Sequence, residues 1–118
     1  MMRKKGQLPC GIEIDGTVYR DYELREQFVA DEIEVLESEH GPRAIKTDSY
    51  YNICLMARRL ALVGLDKPVT PEMVMGMLSD DFTHLLKSSK AMSVERDSFR
   101  GAAEAAPDAA SGPVEVGI

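Results

Sequence analysis

Apolar residues change their spacing along this chain, and each change marks an element. Leu8 to Arg25 is the alternating part: Ile12 and Ile14 precede Asp15-Gly16, and Val18, Tyr19, Tyr22 and Leu24 follow it. Asp-Gly accepts the positive φ angles of a tight two-residue turn, so the pattern predicts a β-hairpin over 8–25. Pairing across that turn sets Ile14 against Thr17 and Ile12 against Tyr19 on one face and leaves Val18, Tyr22 and Leu24 on the other. Either the second strand carries a bulge that returns Tyr22 and Leu24 to the core, or both faces are partly covered. In both cases helices or another copy of the chain must pack on the hairpin, because two strands alone are marginal in water.

From Gln27 the period is helical. A first helix is predicted over 27–39, with Val29, Ile33 and Leu36 as its inner stripe and Phe28 beside it. Asp31, Glu32, Glu34, Glu37 and Glu39 fill most of the rest, as a solvated surface or as an acidic docking face. His40-Gly41-Pro42 ends this helix, and a loop runs to Thr47-Asp48, either of which is able to cap the next. The second helix, over 49–63, is apolar around most of its circumference: Tyr50, Ile53, Cys54, Ala57, Leu60 and Ala61 form a stripe that Tyr51, Leu55, Met56 and Leu62 widen. It is the predicted centre of the core, with Arg58 and Arg59 on its solvent side and Gly64 as its left-handed cap.

Thr70-Pro71-Glu72 supplies a capping hydroxyl, a proline at the first helical position and an early acid, and opens a short helix over 71–79 in which Met73, Val74, Met77 and Leu78 share a face. A longer helix over 80–100 carries Phe82, Leu85, Leu86, Met92 and Phe99, with Ser89 and Ser93 diluting the stripe and Lys87, Lys90, Arg96 and Arg100 among its polar positions. So diluted a stripe reads as a surface for a partner. Met73, Met77, Phe82, Leu85, Leu86 and Met92 are the candidate partner-binding residues; the competing expectation is that most of them close the domain's own core. The predicted fold is therefore α+β, an N-terminal hairpin packed on a small bundle of three or four helices, in one domain over 8–100. Residues 1–7, with Arg3-Lys4-Lys5, read as a flexible basic arm. Residues 101–118 are rich in Ala, Gly, Ser and Pro and read as a low-complexity, disordered tail, in which the alternation of Val114, Val116 and Ile118 is too short to argue a strand.

Charge and composition narrow the function more than the fold. The 118 residues carry a formal net charge of -6, which argues against nucleic-acid binding, where phosphate contacts supply most of the affinity. Met1-Met2-Arg3-Lys4-Lys5 runs into Gly6-Gln7 rather than an apolar segment, and no stretch is long enough to span a bilayer, so a cytoplasmic protein with no membrane partner is expected. Cys10 and Cys54 read as reduced thiols without metal-ligand spacing, and no cofactor motif is present. His40 and His84 are the only histidines; His84, near Asp80 and Asp81, reads as a surface residue, and no phosphate loop or nucleophile elbow accompanies it. No catalytic residue is expected, and no enzyme. The Gly64–Pro71 linker is long for a helix-turn-helix, and Met73, Met75 and Met77 stand where polar base readers would be needed. Seven methionines and no tryptophan suit an adaptable binding surface as well as ordinary packing.

The order of these segments also carries a resemblance. Leu8-Pro9-Cys10-Gly11-Ile12-Glu13-Ile14, the turn Asp15-Gly16, a strand ending Tyr22-Glu23-Leu24-Arg25 and an acidic helix with Asp31-Glu32-Ile33 are followed by Val69-Thr70-Pro71-Glu72. Leu78-Ser79-Asp80-Asp81-Phe82, then Leu85-Leu86, then a helix reaching Arg96 and Arg100 complete the series. Over residues 8–100 this arrangement resembles the tail assembly chaperones of Mu-like and related contractile-tailed phages. It departs from them at Glu26-Gln27-Phe28, where a Thr or Ser cap is expected before the acidic helix. The resemblance implies a protein that binds the helical tape measure protein, keeps it soluble while the tail tube assembles, and meets tail tube subunits as they polymerise. It implies no enzymatic activity, leaves room for a homo-oligomer, and brings in a longer frameshifted form made by relatives. The alternative is a small dimeric adaptor or regulatory protein.

Overall fold

The computed structural model describes the backbone of residues 2–105 and the side chains of residues 2–98. The fold is α+β, with a three-stranded antiparallel sheet and five helices among the described residues. Strands β1 (Arg3–Ile14) and β2 (Thr17–Arg25) form the hairpin, closed by Asp15 and Gly16 at φ 51° and 84°. Next to the turn the register is the expected one, Ile14 opposite Thr17 and Ile12 opposite Tyr19. Beyond it β1 bulges: Gln7 resumes pairing with Asp21, so residues 8–11 all face the single residue Arg20. A break in register does bring Tyr22 and Leu24 to the core face beside Leu8, Ile12 and Ile14, but the extra residues lie in the first strand rather than the second.

Side chains hold the bulge's unpaired backbone groups. Arg20 donates from Nε to the Leu8 carbonyl at 2.9 Å and from Nη2 to the Pro9 carbonyl at 3.2 Å. Asp81, fully buried, accepts from the Cys10 amide at 2.8 Å and the Gly11 amide at 3.0 Å. Gly11 sits at φ 96°, and a Cβ there would meet Arg20 Cγ at 2.7 Å, so this position requires glycine. The basic residues read as a mobile arm are strand instead: Arg3 to Gln7 pair with Arg25 to Asp21, and Arg3 and Lys4 reach Glu23 and Glu95.

The helices are α1 (Val29–Glu37), α2 (Gly41–Lys46), α3 (Asp48–Arg59), α4 (Pro71–Met75) and α5 (Ser79–Ala105). The short α2 replaces the expected loop, with Pro42 opening a helix rather than closing one. The core helix stops at Arg59, and Leu60–Leu62 form β3, which pairs antiparallel with Leu24–Tyr22 of β2. Leu and Ala favour helix, but the unpaired edge of β2 offers ladder bonds and a core site for Leu60 and Leu62, and this overrides propensity. Gly64, at φ 95°, accordingly follows a strand. Thr70 caps α4 as expected, its hydroxyl accepting from the Met73 amide at 3.2 Å, although α4 ends at Met75. The α5 backbone continues past the expected boundary at 100 to Ala105; residues 106–118 of the expected tail lie outside the described residues.

α1 turns the other way round from its expected stripe. Val29 and Ile33 are 71% and 51% exposed, Phe28 and Leu36 are exposed too, and Asp31 and Val35 face inward. Asp31 accepts from Arg25 at 2.7 and 2.9 Å and from Arg58 at 3.2 Å, and its carboxylate takes the Phe28 amide at 2.8 Å, the part of the acid at the third helical position in a capping box, while the Asp31 amide that a Thr or Ser cap would have held bonds to the Phe28 carbonyl. Burying one more Val or Ile side chain is worth about 2 kcal/mol. Breaking an ion pair whose carboxylate is buried and whose arginines are partly exposed costs about 3 kcal/mol, at the low end for buried pairs and still more than the side chain gains, so the charge cluster sets the helix rotation.

The Arg25 hydrogen bond, first among several contacts, holds the Asp31 carboxyl well below the usual carboxylate range. A folded-state pKa below the unfolded value means that the ionised group stabilises the fold at neutral pH. That contribution begins to fall as pH drops below about 4 and disappears only as pH passes the depressed folded value. Asp31→Asn is expected to cost about 3 kcal/mol at pH 7 in urea denaturation, with the gap from the parent protein narrowing steadily below pH 4. A gap independent of pH would show that the charge of Asp31 is not what stabilises α1.

Candidate partner-binding surface

α5 lies across the inner face of the hairpin, and its contact seam is Asp81, Leu85, Ser88 and Met92, at spacings of four, three and four, all buried. The two polar members of that seam join the helix to the sheet. Asp81 binds the bulge, and the Tyr22 hydroxyl lies 2.5 Å from Ser88 Oγ and 2.9 Å from His84 Nε2. Tyr22 reaches them across Gly6, where a Cβ would come within 2.7 Å of its hydroxyl oxygen.

Of the six candidate residues, Leu85 and Met92 are therefore core, 0% and 1% exposed, and do not form a surface in this fold. The polar positions of the seam, Asp81 and Ser88, bond to the hairpin, and Ser89, one of the two serines that dilute the stripe, accepts from Arg59 of α3. Met73, Met77 and Phe82 are half-buried against the core, and Leu86 is 49% exposed. Met75, the last residue of α4, and Leu78, expected to share an apolar face with Met73, Val74 and Met77, are both exposed. Met75, Met77 and Phe82 line one groove of about 290 Å³ with Ile53 and Val74 at its base. Leu86, one turn beyond Phe82 on α5, is outside its lining. Met75 and Leu78 were not among the candidate residues; the end of α4 at Met75 and the start of α5 at Ser79 leave a corner between the two helices.

Other chemistry is sparse at this site. His84 lines a separate surface hollow of about 370 Å³ with Pro9, Asp80, Thr83 and Lys87; Asp81 is not part of it, since both its oxygens are engaged by the bulge. Among the described residues no group of three His, Cys, Asp or Glu side chains is placed to hold a metal ion, and no helix is long and apolar enough to cross a membrane. Cys10 and Cys54 are both free, the first exposed and the second buried.

The chain matches no family model, no curated protein and no solved structure.

The core and groove positions on α5 are separable by mutation. Leu86→Asp is expected to change stability by no more than about 0.5 kcal/mol, as for an exposed position. Leu85→Ala should cost about 3 kcal/mol through the cavity it leaves against the sheet. Paired urea titrations check both, and equal losses would mean that Leu86 packs inside.

Proposed function

We propose that this chain is a tail assembly chaperone that binds the tape measure protein in the host cytoplasm and keeps it soluble until tail tube subunits polymerise around it. The observation that carries the reading is the groove at the α4–α5 corner, lined in part by Met75, Met77 and Phe82, with Leu78 and Leu86 exposed outside its lining. Methionine side chains are unbranched and polarizable, so such a groove accommodates the apolar face of many different helices and releases them again. That is the physical requirement for holding a long helical protein along much of its length. The order of the hairpin, the acidic helix and the Thr70-Pro71 and Ser79-Asp80-Asp81 helix starts supports the same reading through the resemblance given above.

The exposed stripe of α1 favours a second reading, an adaptor that self-associates through Phe28, Val29, Ile33 and Leu36. It ranks lower because Glu32 and Glu37 lie beside that stripe on α1, and a two-fold pairing of the helix brings acidic side chains toward their copies.

Co-expression with the tape measure protein encoded nearby, followed by size-exclusion chromatography with light scattering, tests the proposal. The expected result is co-elution, with the tape measure protein soluble only in company and Leu86→Asp or Met77→Asp lowering the yield of complex. Absence of association at any salt concentration would remove the chaperone reading, and a homodimer with no affinity for that protein would put the adaptor first.

A further inference from the structure

Arg59 is a guanidinium in an unusual place. It was expected on the solvent side of its helix, yet it is only 8% exposed, at the junction of α3 and β3. Its Nε donates to the Arg25 carbonyl at 2.9 Å and its Nη2 to Ser89 Oγ at 2.9 Å, both neutral acceptors. Among the described residues it forms no ion pair. The nearby carboxylates are engaged elsewhere: Glu26 accepts from Arg96 at 2.9 Å and from the Met2 amide at 3.0 Å, and Asp31 is shared by Arg25 and Arg58. Burial first, and then the Arg25 charge, press the Arg59 pKa down, with Asp31 and Glu26 opposing from a distance; arginine nevertheless stays charged in proteins. A buried charge of this kind is costly unless something compensates it.

Beside it lies a cavity of about 250 Å³, lined by Arg59, Arg96, Glu26, Gln27, Ser89 and Ser93 over the Met92 side chain. Arg96 is already paired with Glu26 at 2.9 Å and with Asp97, which lies outside the lining, at 3.2 Å, so the one charge left without an ion pair is that of Arg59, and the serines and glutamine add neutral donors. That matches a singly charged oxygen anion better than a dianion, a cation or an apolar ligand, and the planar guanidinium fork suits two oxygens on one atom.

We propose that this cavity is a binding site for a monoanionic oxyanion, a carboxylate or a phosphodiester group, which completes the charge balance of Arg59. The site is separate from the α4–α5 groove and stands whether or not the chaperone reading does.

Thermal unfolding of the full chain in sodium acetate, in sodium dimethyl phosphate and in sodium chloride at matched ionic strength tests it. The expected result is a saturable rise in Tm with at least one of the two oxyanions and none with chloride; the more effective of them names the source, carboxylate or phosphodiester. Arg59→Met keeps the apolar stem and should abolish the rise. Ser93→Val fills the cavity from α5 and leaves the Arg59 bonds to Arg25 and Ser89 in place, so it should weaken binding about tenfold or more even if the Arg59 variant does not fold. No rise beyond chloride with either anion, or a rise unchanged in Ser93→Val, would overturn the proposal and leave Arg59 a purely structural contact.

Discussion

A single buried carboxylate joins the two halves of this fold. Asp81 stands in the first turn of α5 with both oxygens turned to the amides of Cys10 and Gly11, in a bulge that no strand pairs. A buried acid without donors costs about 1–3 kcal/mol or more, and Asp81, 0% exposed, is acceptable there because the two bulge amides donate to it. The contact also fixes position. With Asp81 seated, the seam that continues through Leu85, Ser88 and Met92 meets Leu8, Tyr22 and Leu24 of the hairpin, and α5 has one place to lie.

That placement decides which apolar residues are left for a partner. Once the seam is occupied by the sheet, Phe82 falls on the flank of α5, where it lines a groove with Met75 and Met77, and Leu86 is left exposed. The packing of α1 is arranged by charge. Asp31 gathers Arg25 and Arg58, and in doing so turns the apolar side of α1 outward. Electrostatic and hydrogen-bonding demands thus settle two helix rotations that apolar periodicity alone would place differently.

Much of the fold was legible in the sequence where local chemistry is decisive. Asp15-Gly16 gives the turn and the first pairs of the hairpin, and Thr70-Pro71 gives the start of α4. The α+β class follows from the change of period between Leu24 and Val35. What was not legible depends on distant partners. Leu60-Ala61-Leu62 continues a helical pattern and becomes strand because β2 has an open edge; Arg3-Lys4-Lys5 becomes strand for the same hairpin's sake. Asp81 has a sufficient local explanation as a helix-start acid, which hides its role across the fold. In the candidate site, Met73, Met77, Phe82 and Leu86 were singled out at positions that remain at or near the surface, whereas Leu85 and Met92, one turn away by the same periodicity, are interior. Helical spacing alone does not separate a seam from its flank when the seam contains Asp81 and Ser88.

The joint itself is open to direct measurement through amide hydrogen exchange of the native protein, followed residue by residue by NMR. If Asp81 seats α5 in the bulge, the Cys10 and Gly11 amides, although they have no strand partner, exchange as slowly as the core amides of α5 and open with them as one unit. Exchange of these two amides at the rate of an exposed loop, while α5 stays protected, would contradict the account and leave the position of the helix, and of the methionine groove it carries, without its stated cause.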